Sequence, residues 1–511
     1  MAEFDETIAR LDAVEDFQGL HDYLQRNADK IEQLAGVVYQ LLLRYRLRGA
    51  YLIAQMLKHR LNNPVLSLAL CLGGMVTGNG EDEAEGHRHL RKQIDSLSEA
   101  DRLRLYLSLE PMIKILTSNA YSSSGGHLAT LKVLEVLKDL APVFRHMFDF
   151  DCPIPKLDSV SLKAAGRRRA RLVDMTPVPP GEPRKARRAV VGMRELFFPQ
   201  NPNSRQFEIG PIMTAALNAY GWSTTMVPLK CGNALDDDFR RITETCVAEM
   251  ADVLFLDEQL IEAPVARAAR KAMIPLLRRV LPNLKIVAVH LDPWSLEPPL
   301  LASAAVDVDA VWTFAPELPA WSQPEFKGRL FVAPLPHAGD YGGPILPLRP
   351  SMTFIGSIFA YNWHRWFWMS AASATKLPLE IQQSQQVADG LPVVESYLHY
   401  IRRLADSRCA VNFSLRPNLT PAITGRTFEI LAGAALLIQE ATTDLDCFLI
   451  AGEHYLEFTS IADLRAIAAF IAERPGDAES IRKSGNAFFR ETYSDDRVIG
   501  TLDRRLHYPG K

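Results

Sequence analysis

Apolar positions recur with helical spacing from Asp5 to about Phe150, with no strand-like alternation. After Ala189 the pattern changes to short apolar runs separated by helical stretches. The first series predicts strands at Ala189–Met193, Ser223–Val227, Asp252–Leu256, Lys285–Val289, Ala310–Phe314 and Arg329–Ala333, with helices at Phe207–Tyr220, Asp236–Met250 and Pro264–Val280. A second series begins at Ser351, with strands at Met352–Gly356, Leu377–Ile381, Cys409–Ser414 and Ala435–Gln439. Its helices are expected at Trp363–Ala372, Val393–Ala405 and Thr424–Ala432. Apolar strands joined through helices of about 10 to 18 residues imply parallel pairing by right-handed crossovers, hence an α/β chain with two doubly wound, Rossmann-like sheets. The two sheets would face each other across a cleft, with ligands at their carboxyl ends.

The helical block carries one internal echo. A helix opening at Gly49-Ala50-Tyr51 ends at Asn62-Asn63-Pro64, a second runs from Val65 to Met75, and a third starts at Asp82. Helix pairs at a period of about 34 residues, with small residues at the contacts, resemble tetratricopeptide arrays; one echo leaves a generic helical bundle equally open.

Between block and sheets, proline is dense. Cys152-Pro153-Ile154-Pro155 and Pro177-Val178-Pro179-Pro180 flank the basic runs Arg167-Arg168-Arg169-Ala170-Arg171 and Arg184-Lys185-Ala186-Arg187-Arg188. This reads as an extended, solvated linker whose arginines could also hold an acidic partner or phosphate. The expected domains are therefore a helical domain over 1–150, a basic linker over 151–188, Rossmann-like domains over 189–340 and 341–494, and a C-terminal helix or tail over 495–511.

Composition narrows the field modestly. The 511 residues are 48% hydrophobic and 23% charged, as in a globular protein with real cores. A formal net charge of −3 gives no reason to expect a nucleic-acid partner. Six scattered cysteines without a CxxC pair point to reduced thiols in the cytoplasm rather than a disulfide framework or zinc site. The acidic start is unlike a signal peptide, and no uncharged apolar run reaches the length of a spanning helix.

Two loops carry candidate chemistry. At Phe354-Ile355-Gly356-Ser357 a buried-type strand ends in glycine and a hydroxyl, where backbone N–H groups can hold phosphate. In Thr424-Gly425-Arg426-Thr427-Phe428-Glu429, Arg426 and Glu429 lie three apart on one helix face. The helix start and its dipole point into the predicted cleft. Arginine suits a diphosphate and glutamate the hydroxyls of a ribose, while the alternative is an exposed surface pair.

The stretch Arg426-Thr427-Phe428-Glu429 to Ala432-Gly433-Ala434 resembles the R-x-F-E…A-x-G helix of group 1 glycosyltransferases, of two-Rossmann (GT-B) architecture and especially the spore-maturation type. Gly452-Glu453 to Phe458 is similar to that family's G-x-E…F strand. The resemblance covers roughly 352–506 well and 189–332 by fold pattern alone. It implies a nucleotide-diphosphate sugar as donor substrate, with Glu429 on the ribose and Arg426 near the diphosphate. Gly356 and Ser357 would touch phosphate or sugar, with Arg365, Asn412 and Arg416 as neighbours. It implies no bound metal or cofactor, the leaving diphosphate being stabilised by the helix dipole and basic side chains.

On the acceptor side, His290 and Asp292 follow a buried-type strand and are candidates to deprotonate an acceptor hydroxyl; the loop Asn201–Arg205 is another candidate. A protein acceptor recruited by the helical block fits the domain order, and a homo-oligomer stays open. Another sugar-nucleotide enzyme such as an epimerase, or a non-catalytic scaffold on the same fold, are the rival readings.

Overall fold

The structure is a computed structural model that describes residues 7–8, 10, 16–27, 34–43, 46–58, 63–121, 153–173, 175, 186–194, 209–229, 235–257, 266–290, 307–337, 346–349, 351–356, 363–382, 393–414 and 422–507. Among the described residues helices come first, including α1 (Phe17–Arg26), α2 (Leu34–Leu43), α3 (Leu47–Met56), α4 (Pro64–Thr77), α5 (Gly80–Asp95) and α6 (Glu99–Tyr121). Their ends follow local chemistry. Asn63 caps α4 by accepting from the Val65 N–H, Pro64 occupies its first turn, and Gly78 closes it in the left-handed conformation at φ 74°. The Asn79 side chain then accepts from the Asp82 N–H and opens α5. Gly86 lets α5 lie against α4, since a Cβ there would stand 2.5 Å from the Cys71 nitrogen.

Next come α7 (Ser159–Arg169), β1 (Arg188–Arg194), α8 (Ile209–Tyr220), β2 (Ser223–Leu229), α9 (Leu235–Ala248), β3 (Val253–Asp257), α10 (Ala266–Val280), β4 (Lys285–His290), β5 (Ala310–Thr313) and β6 (Leu330–Val332). All six strands pair in parallel in the order β2-β1-β3-β4-β5-β6. The second series comprises β7 (Met352–Ile355), α11 (Trp363–Ala374), β8 (Leu379–Gln382), α12 (Val393–Ser407), β9 (Cys409–Asn412), α13 (Gly425–Ala432), β10 (Leu436–Glu440), β11 (Leu456–Phe458), α14 (Ile461–Glu473), α15 (Pro475–Thr492) and α16 (Asp495–His507). Its strands, also parallel, order as β11-β10-β9-β7-β8. The two expected doubly wound sheets are thus present. Consecutive buried residues such as Val190-Val191, Leu254-Phe255 and Leu437-Ile438 explain the parallel pairing, because both faces of each sheet are covered. Strand order reverses at β1/β3 and at β7/β9, the two places where such sheets open a crevice.

Two features differ from the sequence expectation. The helical block shares one apolar cluster with the second sheet: Tyr106, Leu109 and Met112 of α6 join Phe354, Trp368 and Phe413. The segment expected to be an extended solvated linker contains α7, because its prolines flank residues 159–169 instead of interrupting them. Its arginines are exposed, as expected, and three of them also meet carboxylates. Arg167 pairs with Glu453 at 2.7 Å, Arg169 with Glu457 at 2.9 Å, and Arg171 with Glu317 of the first sheet's domain. The strap continues by backbone bonds from Arg171 N–H to the Asp446 carbonyl and from Val173 N–H to the Cys447 carbonyl, each 2.7 Å.

The chain crosses between the sheets twice, after β6 and at α16, and α16 returns to the first sheet's side. There Asp503 forms a buried ion pair with Arg187 at 2.9 Å. Among the described residues no helix is long and apolar enough to cross a membrane, and Cys71, Cys246, Cys409 and Cys447 are free thiols.

Candidate functional site

The β7/β9 switch point gathers four of the residues singled out in the sequence. β7 ends at Ile355 and delivers Gly356; α13 opens at Gly425 after the loop that leaves β9. The guanidinium of Arg426 lies directly over Gly356: a Cβ on the glycine would stand 2.5 Å from Nη2 and 2.7 Å from Cζ. Glycine therefore creates the seat for the arginine. Its own N–H is not offered to a phosphate, because it donates to the Gln382 carbonyl at 3.1 Å as the sheet continues. The Arg426 guanidinium also sits 5.2 Å from the Phe354 ring centroid, and the buried Arg365 approaches the same ring at 5.9 Å. Two cations against one ring leave a positive locus at the carboxyl end of β7.

Glu429, one turn along α13, is half-buried beside it. Tyr400 of α12 bridges the two: its hydroxyl accepts from Arg426 Nε at 3.2 Å and donates to Glu429 Oε2 at 3.0 Å. Tyr397, one turn earlier, lies 3.4 Å from Glu429 Oε1 through its own hydroxyl. Burial raises the Glu429 carboxyl above its ordinary value, with Arg426 and the two hydroxyls pulling it back. Burial, then the charge of Glu429, likewise hold the Tyr400 phenol above its usual value.

Asn412 has a different task from the one expected. It is fully buried, and its amide donates to Thr424 and Thr427 hydroxyls at 3.0 Å and to Gln439 at 2.9 Å. This knot fixes the start of α13 over β9 and β10 and leaves no surface for a ligand. Ser357, Arg416 and Asp292 lie outside the described residues, as does the 201–205 loop.

In the first sheet His290 ends β4 and is buried. Its Nδ1 stands 3.4 Å from the Thr313 hydroxyl, and its ring packs edge-on to Trp321 at 5.1 Å. Burial pushes the ring down to about 3. At the β1/β3 switch point stands an ion pair that sequence reading missed: Arg194 Nε donates to the fully buried Asp257 at 3.0 Å. The two residues end β1 and β3, so the crevice of the first sheet also opens on a charged pair.

Residues 364–503 match the family model described as glycosyl transferase-like. This C-terminal part of the chain is glycosyltransferase-like. The match contains Arg365, Asn412, Arg426 and Glu429 and agrees with the group resemblance seen in the sequence; it does not distinguish a spore-maturation type. No curated protein matches the chain. Among solved structures, the chain is similar to HepE from Anabaena in complex with UDP and glucose (9% identity, TM-score 0.40, 63% of this chain and 99% of that one). It is also similar to a sucrose-phosphate synthase from Thermosynechococcus elongatus (13%, 0.41, 63% and 99%) and to a glycosyltransferase from Rickettsia africae (11%, 0.40, 64% and 100%). The fold rests on the strand orders above rather than on these distant likenesses.

Proposed function

We propose that the protein transfers a sugar from a nucleotide-diphosphate sugar, held at the β7/β9 switch point, to an acceptor at the carboxyl end of the first sheet. One observation carries this reading: Arg426 and Glu429 share a face of α13, at a ligand-binding switch point, inside the stretch matched by the glycosyl transferase-like model. Arg426, with Arg365 behind the same ring, would grip the diphosphate and stabilise its charge as the sugar leaves. That role needs no metal. Each Glu429 oxygen already accepts from one tyrosine and keeps a lone pair for a hydroxyl, which fits the vicinal diol of a ribose. Ser357 and Arg416 are proposed to add contacts to phosphate or sugar.

For the acceptor, Asp292 is the proposed proton acceptor, since burial depresses His290 and makes it a weak base. A protein acceptor brought in by the tetratricopeptide-like block, and residence in the cytoplasm, are the finer readings. The block's attachment to the second sheet would hold such an acceptor beside the donor.

Calorimetric titration with UDP, GDP, CDP and ADP, with and without the sugar conjugates, tests the donor site. Binding of one diphosphate that Glu429→Ala weakens supports it, and release of that diphosphate with a glycosylated product separates a transferase from an epimerase. Binding of none favours a scaffold.

A further inference from the structure

The donor-site carboxylate is connected by side chains to the place where the chain passes from one sheet to the other. His337 lies on the crossing after β6 and is buried. Its backbone N–H donates to Asp495 Oδ1 at 2.9 Å, so the first crossing is tied to the opening of α16, the second. Its ring Nδ1 is 2.7 Å from the Tyr397 hydroxyl, with the two rings parallel at 6.5 Å, and Phe489 closes the other side at 5.5 Å. Tyr397 then reaches Glu429 Oε1 at 3.4 Å.

One arrangement of protons satisfies both contacts along this path. With the Tyr397 hydroxyl proton aimed at the carboxylate, the short bond to His337 requires the imidazole proton on Nδ1. The described residues leave Nε2 without a hydrogen-bond partner, which a buried lone pair tolerates better than a buried N–H. Tyr400 has no such tail: it ties Glu429 back to Arg426 within the same site. The two carboxylate oxygens thus have different anchors, one local and one at the domain crossing.

We propose that Tyr397 and His337 are positioning residues that orient Glu429 from the inter-sheet crossing, so that recognition of the donor's ribose diol depends on the closed placement of the two sheets. Tyr397 sets the rotation of the carboxylate about its long axis. A carboxylate held by Tyr400 alone keeps contact with Arg426 but loses the orientation that presents both oxygens to vicinal hydroxyls. The inference rests on the donor reading proposed above.

The test compares each of UDP, GDP, CDP and ADP with its 2′-deoxy counterpart by calorimetry, using the full chain. In the wild type the preferred base should show tighter binding of the ribonucleotide, and Glu429→Ala should abolish that preference. Tyr397→Phe and His337→Phe keep the shape of the rings but break the path. Each should reduce the ribose-over-deoxyribose preference by about 3- to 10-fold, the range of one neutral hydrogen bond. His337→Asn, which returns an N–H near the Nδ1 position, should restore it, and Tyr397→Phe should change nothing further in the Glu429→Ala background. Equal weakening of ribo- and deoxynucleotides would show a merely structural role and overturn the proposal, as would an unchanged preference. If the wild type binds no nucleotide, or prefers the ribose form independently of Glu429, the donor reading itself fails and this inference with it.

Discussion

The missing side chain of Gly356 and the guanidinium of Arg426 share one space: a Cβ on the glycine would lie 2.5 Å from Nη2. Gly356→Ala must therefore displace the arginine or the end of β7. Since the neighbour is the end of a flexible side chain, the fold should absorb the change with little loss of Tm. Diphosphate affinity should fall by about tenfold or more, in line with losing a charge-assisted hydrogen bond. Calorimetry beside a melting curve separates the two effects; unchanged affinity would remove Arg426 from the binding face.

Arg426→Lys keeps the charge and loses the fork that reaches Tyr400 through Nε. Diphosphate binding should weaken by roughly 10- to 100-fold, matching about 1.5–3 kcal/mol for bonds to charged groups. Binding by the wild type should survive EDTA unaltered. A requirement for magnesium would show that arginine and helix dipole do not suffice.

Gly166 lets α7 press against the backbone of Ala451, where a Cβ would collide with its carbonyl. Gly166→Val should lift the strap and loosen the pairs of Arg167 and Arg169 with Glu453 and Glu457. Faster proteolysis within 153–173 is expected, checked by timed digestion and mass spectrometry. Because these arginines are largely exposed, Arg167→Ala alone should barely change stability.

Acidification should destabilise the fold. Burial holds His290 and His337 at about 3, and His454 and His507 at about 4, below the unfolded value near 6.5. The unfolded chain therefore binds these protons first, and stability rises with pH from about 4 to 6.5 and levels off above. Asp444, raised to about 6 by burial, opposes this between about 3.9 and 6. Each group contributes up to about 1.4 kcal/mol per pH unit, so the histidines prevail. Urea midpoints at pH 5 and 7 should show the fall, and His337→Phe should flatten it.

The sheets were legible because their chemistry is local: runs such as Val190-Val191 and Leu437-Ile438 are apolar on both faces, and only parallel strands suit them. The shared face of Arg426 and Glu429 was legible because the two stand three apart on a helix. Tyr397, Tyr400 and His337 were not, although the tyrosines lay within an expected helix. Their partners come from α13 and the domain crossing, distant in sequence and joined only by packing. Asn412 was misjudged for the converse reason: a polar residue at a strand end reads as a ligand contact until the neighbours that satisfy it are known. The ion pairs of the exposed Arg167, Arg169 and Arg171 were not legible, because their carboxylate partners lie far along the chain.

The apolar cluster shared by α6 and the second sheet has a consequence for synthesis. Tyr106, Leu109 and Met112 leave the ribosome long before Phe354, Trp368 and Phe413, which share their apolar cluster. The first helices must wait, partly uncovered, while the whole first sheet is made, and such late closure is slow and prone to aggregation. A nascent chain stalled before Met352 should therefore be a client for chaperones that bind exposed apolar helices, whereas release of the full chain ends that dependence.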